Sequence, residues 1–225
     1  EAPVPIVHIE ARDERPGGAA NVALGVAALG AKPYLLGLVG EDTEAHNLEA
    51  LLAKQGIACH LQRLAGAHTI KKLRVLSRGQ QMVRLDTETT FVLDEGLRSI
   101  LFQHYQAALA HTDVVVLSDY GKGTLFEPAA WIMEARARGI PVIVDPKSLC
   151  FSDYQGASVV TPNLKEFEAV AGVSETVEQM VEKAEHLLAR HALEAMIITR
   201  SEQGLSVISN HESVQHLQAI ACEVH

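Results

Sequence analysis

Polar side chains follow four consecutive apolar segments of this sequence, and their types suit the binding of a charged ligand. The segments VVVL, VIV, SVV and MIIT are followed by SDYGKG, DPK, TPNLKEFEAV and RSEQG. The first two of these turns carry Asp119, Lys122, Asp145 and Lys147. A sheet edge that faced only water would have no use for two lysines and two carboxylates on neighbouring loops. The pattern therefore indicates a ligand site.

Each of these residues taken alone also has a purely structural interpretation. Asn163 followed by Glu166 three residues later is the pattern of a helix capping box, with Asn in place of Ser or Thr. Asp119 fits an Asx turn, in which the carboxylate accepts a bond from the backbone two residues on. Lys147 fits a solvated loop charge. These alternatives stay open at the level of single residues.

The elements around these turns predict an α/β fold. Short, nearly all-apolar runs alternate with amphipathic helices, which is typical of a doubly wound, mainly parallel sheet flanked by helices. Ligands of such sheets bind beyond the carboxyl ends of the strands, where the polar turns lie. The whole chain, 1–225, is expected to form one domain.

Two segments break this rhythm because they alternate polar with apolar residues. Segments 3–11 and 68–88 are predicted to be strands of a small sheet that projects from the body as a lid, the second folding into a hairpin at SRGQ. The polar side of this hairpin is rich in Lys, Arg and Gln. The alternative is an edge hairpin whose charges only discourage aggregation.

Composition excludes several classes of partner. The chain has a formal net charge of −9 and no block of like charge, so we expect no nucleic-acid partner. We also expect no membrane association, because no apolar run approaches the roughly 20 residues that span a bilayer. The three cysteines are far apart and form no metal-binding pair, which fits a cytoplasmic protein.

A glycine pair near the start is not a dinucleotide-binding loop. Gly17 and Gly18 are adjacent and the next glycine is Gly25, whereas that loop needs the spacing G-x-G-x-x-G. Glycines without side chains would let another polar ligand approach the backbone closely. The alternative is small-residue packing of a helix against the sheet.

Taken together, the motifs resemble the ribokinase-like (pfkB-type) carbohydrate kinases. The resemblance rests on GGAAN, GLVGEDTEAHNLEALLAKQGI, SDYGKG, VDPK, NLKE and TRSEQG, in the order of that family and over nearly the whole chain. Within it, the sequence is most similar to kinases of D-glycero-β-D-manno-heptose 7-phosphate. The resemblance implies transfer of the ATP γ-phosphate, with Mg²⁺, to the anomeric 1-hydroxyl of that sugar in lipopolysaccharide core synthesis.

The resemblance also implies roles for individual residues. It assigns substrate binding to Gly17, Gly18, Asn21, Lys72, Arg74, Arg84, Asp119 and Lys122. It assigns nucleotide binding to Lys147, Asn163, Glu166, Thr199, Ser201 and Gly204. Glu166 would hold Mg²⁺ through water. Ser201 departs from the family pattern, which has glycine there.

The family's catalytic aspartate belongs to a Gly-Ala-Gly-Asp segment that this sequence lacks. It is expected beyond His225, so the chain is interpreted as truncated at both ends and impaired in turnover. The resemblance also implies a homodimer through the lid and allows a fused nucleotidyltransferase domain. The alternatives are another sugar or sugar-phosphate kinase of this fold, or a non-catalytic module that binds sugar phosphate or nucleotide.

Overall fold

The computed structural model describes residues 7–78 and 80–219, where strands and helices alternate largely as predicted. The helices are α1 Ala19–Ala28, α2 Thr43–Lys54, α3 Glu95–Ala108, α4 Pro128–Ala137, α5 Leu164–Ala171 and α6 Val177–His191. The strands are β1 Tyr34–Gly40, β2 Ala58–Leu64, β3 Lys71–Ser77, β4 Gln80–Thr87, β5 Val115–Ser118, β6 Val142–Asp145, β7 Val159–Val160, β8 Ala195–Thr199, β9 Leu205–Ser209 and β10 Gln215–Leu217.

The main sheet has the order β10-β9-β8-β7-β6-β5. Strands β5 to β8 run parallel, while β9 and β10 are antiparallel to their neighbours. Residues such as Val142, Val160 and Met196 are fully buried, because helices cover these short apolar strands. The predicted α/β class with a mainly parallel, helix-flanked sheet is confirmed.

Strands β1 and β2 form a separate parallel pair. Leu36 and Leu38 of β1 pack against the same core cluster that contains Leu117 of β5. Within the described residues β1 pairs only with β2, and β5 pairs along its length only with β6. A cavity of about 2590 Å³ runs between these two free edges and continues beneath the lid.

The lid is a third, two-stranded sheet made by β3 and β4. The hairpin predicted over 68–88 is therefore present, with Gly79 of its turn outside the described residues. The strand predicted over 3–11 is wrong for its described part: 7–11 is irregular, and residues 3–6 lie outside the description. Alternation alone does not make a strand. In the part of the chain that the structure describes, 7–11 pairs with no other strand, and Val7 and Ile9 are exposed.

One close backbone approach fixes the loop after β5. The backbone N–H of Phe91, in the segment leaving the lid, donates to the carbonyl of Lys122 at 2.8 Å. Gly123 adopts φ +91°, and a Cβ there would lie 2.0 Å from the Phe91 carbonyl oxygen. Only glycine fits both the left-handed backbone and the lack of space. Gly123 therefore makes room for the backbone contact that fixes the position of Lys122.

Replacing Gly123 by alanine should destabilise the fold more than an equally strained glycine without a close neighbour. Gly56 is the matched control, with φ +69° and nothing within 4 Å of the added Cβ. We expect Gly56→Ala to lower the free energy of unfolding by about 1–2 kcal/mol and Gly123→Ala by about 2–5 kcal/mol. Urea unfolding of both variants measures the difference, and equal losses would contradict the close approach.

Candidate active site

The polar turns after the parallel strands do meet at one edge of the sheet. Ser118 of β5 is in register with Asp145 of β6, and the Asp119 N–H donates to the Asp145 carbonyl at 3.0 Å. Beyond β7 and β8, Asn163 and Thr199 form a parallel bridge. The four turns are therefore neighbours along one rim.

Asp119 is held by two hydrogen bonds at the mouth of the cavity. Its Oδ1 accepts from the N–H of Gly121 at 2.7 Å, which is the Asx turn that the sequence allows. Its Oδ2 accepts from the hydroxyl of Tyr154 at 2.6 Å. Sequence reasoning missed Tyr154, because a tyrosine in an apolar context carries no signal that separates it from an ordinary core residue. The carboxylate of Asp119 is thus fixed in direction while still lining the cavity.

Two of the predicted cations converge on a residue that sequence reasoning missed, Glu88. Lys72 Nζ, from the lid, lies 2.9 Å from Glu88 Oε1 and 3.0 Å from a carboxylate oxygen of Asp86. Lys122 Nζ, from the body, lies 2.6 Å from Glu88 Oε2. The hydrogen bonds and charges of Lys122 and then Lys72 lower the pKa of Glu88 to about 2. Glu88 therefore joins the lid to the body through one carboxylate.

The two arginines predicted on the lid differ in their ion pairs and in whether they line the cavity. Arg74 and Arg84 are cross-strand partners in the β3–β4 register. Arg84 Nε donates to Asp86 at 3.0 Å, and Arg84 does not line the cavity. Arg74 lines the cavity and has no ion-pair partner among the described residues. Arg74 is the better placed of the two to contact an anion in the cavity.

The glycine pair lies at the start of α1 against the loop after β5. Gly18 is the N-cap with φ +56°, and a Cβ there would lie 3.6 Å from the Tyr120 ring. Gly17 and Gly18 both line the cavity. Asn21 is exposed on the first turn of α1 and does not line it. The structure therefore brings the glycines to the cavity but not the asparagine.

The predicted nucleotide-binding residues form an adjoining group. Asn163 Oδ1 accepts from the Glu166 N–H at 2.9 Å, and Glu166 Oε2 accepts from the Asn163 N–H at 3.1 Å, so the capping box is present. The other oxygen, Oε1, lies 3.6 Å from Lys147 Nζ. Among these three residues only Lys147 lines the cavity, so it connects the two groups.

The turn after β8 has the strained backbone that the family's glycine pattern implies. Ser201 adopts φ +52° although it is not glycine. Gly204 donates to the Ser201 carbonyl at 3.0 Å, and a Cβ on Gly204 would lie 1.9 Å from the Leu217 carbonyl oxygen. Thr199, Ser201 and Gly204 do not line the cavity. Their turn is next to Asn163, because Thr199 forms a parallel bridge with that residue.

A half-buried carboxylate lies between the two groups. Burial raises the pKa of Asp145, and the neighbouring charges of Glu166 and Asp119 raise it further, while Lys147 opposes them. Three carboxylates in this neighbourhood favour a cationic ligand over an isolated anion. A phosphate group could bind beside these carboxylates only together with positive charges that neutralise it.

Comparison with protein families and curated proteins agrees with these features. Residues 2–224 match the model of the pfkB family carbohydrate kinases. The chain is 49% identical over 227 residues to the bifunctional protein HldE of Coxiella burnetii and 50% identical over 225 residues to that of Aeromonas hydrophila. Both alignments cover 100% of this chain but 47% of the relative. The chain thus spans about half the length of these relatives.

Solved structures show the same fold. The tetrameric inhibited form of phosphofructokinase-2 from Escherichia coli has a TM-score of 0.76 at 20% identity, covering 98% of this chain and 75% of that one. Ribokinase from Arabidopsis thaliana, complexed with ribose and ATP, has a TM-score of 0.72 at 17% identity, covering 93% and 68%. At such identities the likeness concerns the fold alone. The resemblance found in the sequence is confirmed.

Neutralising Glu88 should strengthen the binding of a phosphate anion between Lys72 and Lys122. In Glu88→Gln the two ammonium groups lose their shared carboxylate, so we expect inorganic phosphate to bind about five-fold more tightly or better. The phosphate-dependent rise in melting temperature measures this affinity. Glu134→Gln is the control, because Glu134 of α4 pairs with Arg138 just after that helix and does not line the cavity. Unchanged or weaker phosphate binding in Glu88→Gln would contradict the assignment.

Proposed function

Because the chain belongs to the pfkB family of carbohydrate kinases, we propose that it transfers the γ-phosphoryl group of ATP to the 1-hydroxyl of D-glycero-β-D-manno-heptose 7-phosphate, forming the 1,7-bisphosphate. The observation that carries the choice of a phosphorylated sugar is the convergence of Lys72 and Lys122 on one carboxylate. Two cations from separate elements suit a dianionic group, and Arg74 is a third cation that lines the same cavity. The similarity to the HldE proteins over the whole chain supports the heptose.

We assign the sugar to the part of the cavity between α1 and the loop after β5. Asp119 would accept hydrogen bonds from sugar hydroxyls, and the backbone of Gly17 and Gly18 would approach the ring. The cations Lys72, Arg74 and Lys122 would hold the 7-phosphate. We also propose Asn21 and Arg84 as substrate contacts, although neither lines the cavity.

We assign ATP to the adjoining group. Lys147 would neutralise charge on the transferred phosphate, because it lines the cavity and pairs with Glu166. Thr199, Ser201 and Gly204 would form the nucleotide loop. Positioning and charge neutralisation are the contribution of the residues described here.

The donor set fits Mg²⁺. Magnesium takes oxygen ligands and usually keeps several waters, binding through one or two carboxylates and substrate phosphates. Glu166 has one carboxylate oxygen beyond its capping bond. Burial, and next the charges of Glu166 and Asp119, raise the pKa of Asp145, and a nearby cation would favour its ionised form. A metal ion there would supply neutralisation of phosphate charge. Glu166, acting through water, is the proposed ligand.

We propose that the protein forms a homodimer through the lid. Within the described residues the lid exposes Leu73, Leu76, Met82, Val83 and Leu85, which supports a homodimer through the lid. The chain covers 47% of relatives named as bifunctional, which supports a fused second domain, and we propose that this domain is a nucleotidyltransferase. Among residues 7–78 and 80–219, no helix is long and apolar enough to cross a membrane. We propose a cytoplasmic location and a single kinase domain over 1–225.

A coupled assay of ADP release tests the function. We expect the full-length protein with MgATP to phosphorylate heptose 7-phosphate with a kcat/KM at least about 100-fold above those for ribose and fructose 6-phosphate, because polar groups built for one sugar are left unpaired by another. Brisk turnover of another sugar would replace the substrate. Binding of heptose 7-phosphate in calorimetry without turnover of any sugar would instead indicate a non-catalytic module.

Glu166→Gln separates the metal role of Glu166 from its role in the capping box. Glutamine can keep the bond to the Asn163 N–H, so the melting temperature should stay close to wild type. Loss of the negative charge should raise the Mg²⁺ concentration for half-maximal activity by about ten-fold or more. An unchanged magnesium requirement, with stability also unchanged, would show that Glu166 is only a cap.

A further inference from the structure

Tyr154 connects the two halves of the site through a single atom. Its side chain is fully buried at the end of the 3-10 turn Phe151–Tyr154. Its hydroxyl lies 2.6 Å from Asp119 Oδ2, 3.0 Å from the backbone nitrogen of Lys147 and 2.8 Å from that of Ser148. One oxygen therefore contacts both the loop after β5 and the loop after β6.

The hydrogen-bonding capacity of a phenol leaves one arrangement for this junction. The two backbone N–H groups can only donate, so the hydroxyl oxygen accepts from both. Its single proton is then directed to the carboxylate of Asp119. Burial, and next the bond to Asp119, raise the pKa of Tyr154, so this proton stays in place across the neutral range. The donors and acceptors of the hydroxyl are all used.

This arrangement fixes the carboxylate of Asp119 relative to the start of the Lys147 loop. Asp119 cannot rotate freely, because Gly121 holds one oxygen and Tyr154 the other. The start of the Lys147 loop is held by the same hydroxyl. The separation between the Asp119 carboxylate on one loop and the backbone from which the Lys147 side chain extends on the next is thus set by Tyr154 and by the pairing of β5 with β6.

We infer that Tyr154 is a positioning residue for phosphoryl transfer, aligning the sugar held by Asp119 with the phosphate neutralised by Lys147. The inference rests on the proposed function, which assigns these two side chains to the two substrates. Tyr154 itself would touch neither substrate. A misplacement of about 1 Å between reacting groups can reduce the rate about 100-fold. Losing the hydroxyl should therefore lower kcat more than it raises either KM.

Tyr154→Phe tests this inference in the full-length protein, with Tyr105→Phe as the matched control. Tyr105 is also buried, and its hydroxyl also makes a hydrogen bond, donating to the Trp131 carbonyl of α4 at 2.8 Å. We expect kcat to fall about 10- to 100-fold in Tyr154→Phe and less than about three-fold in Tyr105→Phe. KM for both substrates should change less than about three-fold, and both variants should lose similar stability, measured by melting temperature.

A double-mutant cycle with Asp119→Ala provides a readout that a merely structural role would not move, because alanine leaves no acceptor for the Tyr154 hydroxyl. If Tyr154 acts through the carboxylate, Tyr154→Phe should cost much less in kcat when Asp119 is already replaced. The inference is overturned if Tyr154→Phe keeps the wild-type kcat, if Tyr105→Phe loses as much, or if the effects of Tyr154→Phe and Asp119→Ala are additive.

The wild-type protein separates failure of this inference from failure of the proposed function. The ratio of kcat between variant and wild type is measured on whichever sugar the wild type phosphorylates. Activity on a sugar other than heptose 7-phosphate would overturn the substrate assignment. The ratio of kcat between variant and wild type on that sugar would still decide the role of Tyr154. A wild type that phosphorylates no sugar would overturn both.

Discussion

Strands β5, β6, β7 and β8 run parallel, and their carboxyl ends therefore lie at the same edge of the sheet. Everything at the candidate site depends on this constraint, because the residues concerned come from loops far apart in sequence. The in-register pair Ser118 and Asp145 brings the first two loops together, and the bridge between Asn163 and Thr199 joins the other two. Antiparallel pairing would have sent alternate loops to opposite edges.

The fold and the rim could be predicted because their signals are local. Apolar runs followed by polar turns identified the strands, and the spacing of Asn163 and Glu166 identified a cap that the structure contains. The interactions that organise the site are not local. Glu88 is 34 residues from Lys122, and Tyr154 is 35 residues from Asp119, so no pattern within a window could pair them. The strand predicted over 3–11 is wrong in its described part for a different reason: among the described residues, no strand pairs with 7–11.

The structural and the functional interpretations of the capping box turn out to be compatible. Glu166 has two carboxylate oxygens, of which Oε2 bonds the Asn163 N–H and Oε1 faces Lys147. The cap fixes the orientation of the side chain, and the second oxygen is thereby presented toward the rim. A capping residue at the start of a helix can thus serve a ligand without giving up its structural bond.

The carboxylate of Glu88 occupies the space between Lys72 and Lys122 and bonds both ammonium groups. An anion that bound these two lysines would therefore have to displace a singly charged group. A monoanion gains little from such an exchange, whereas a phosphate monoester, which carries close to two charges above its second pKa of about 6, gains more. Selection at this position would thus act on the charge state of the ligand, with the displaced carboxylate setting the threshold.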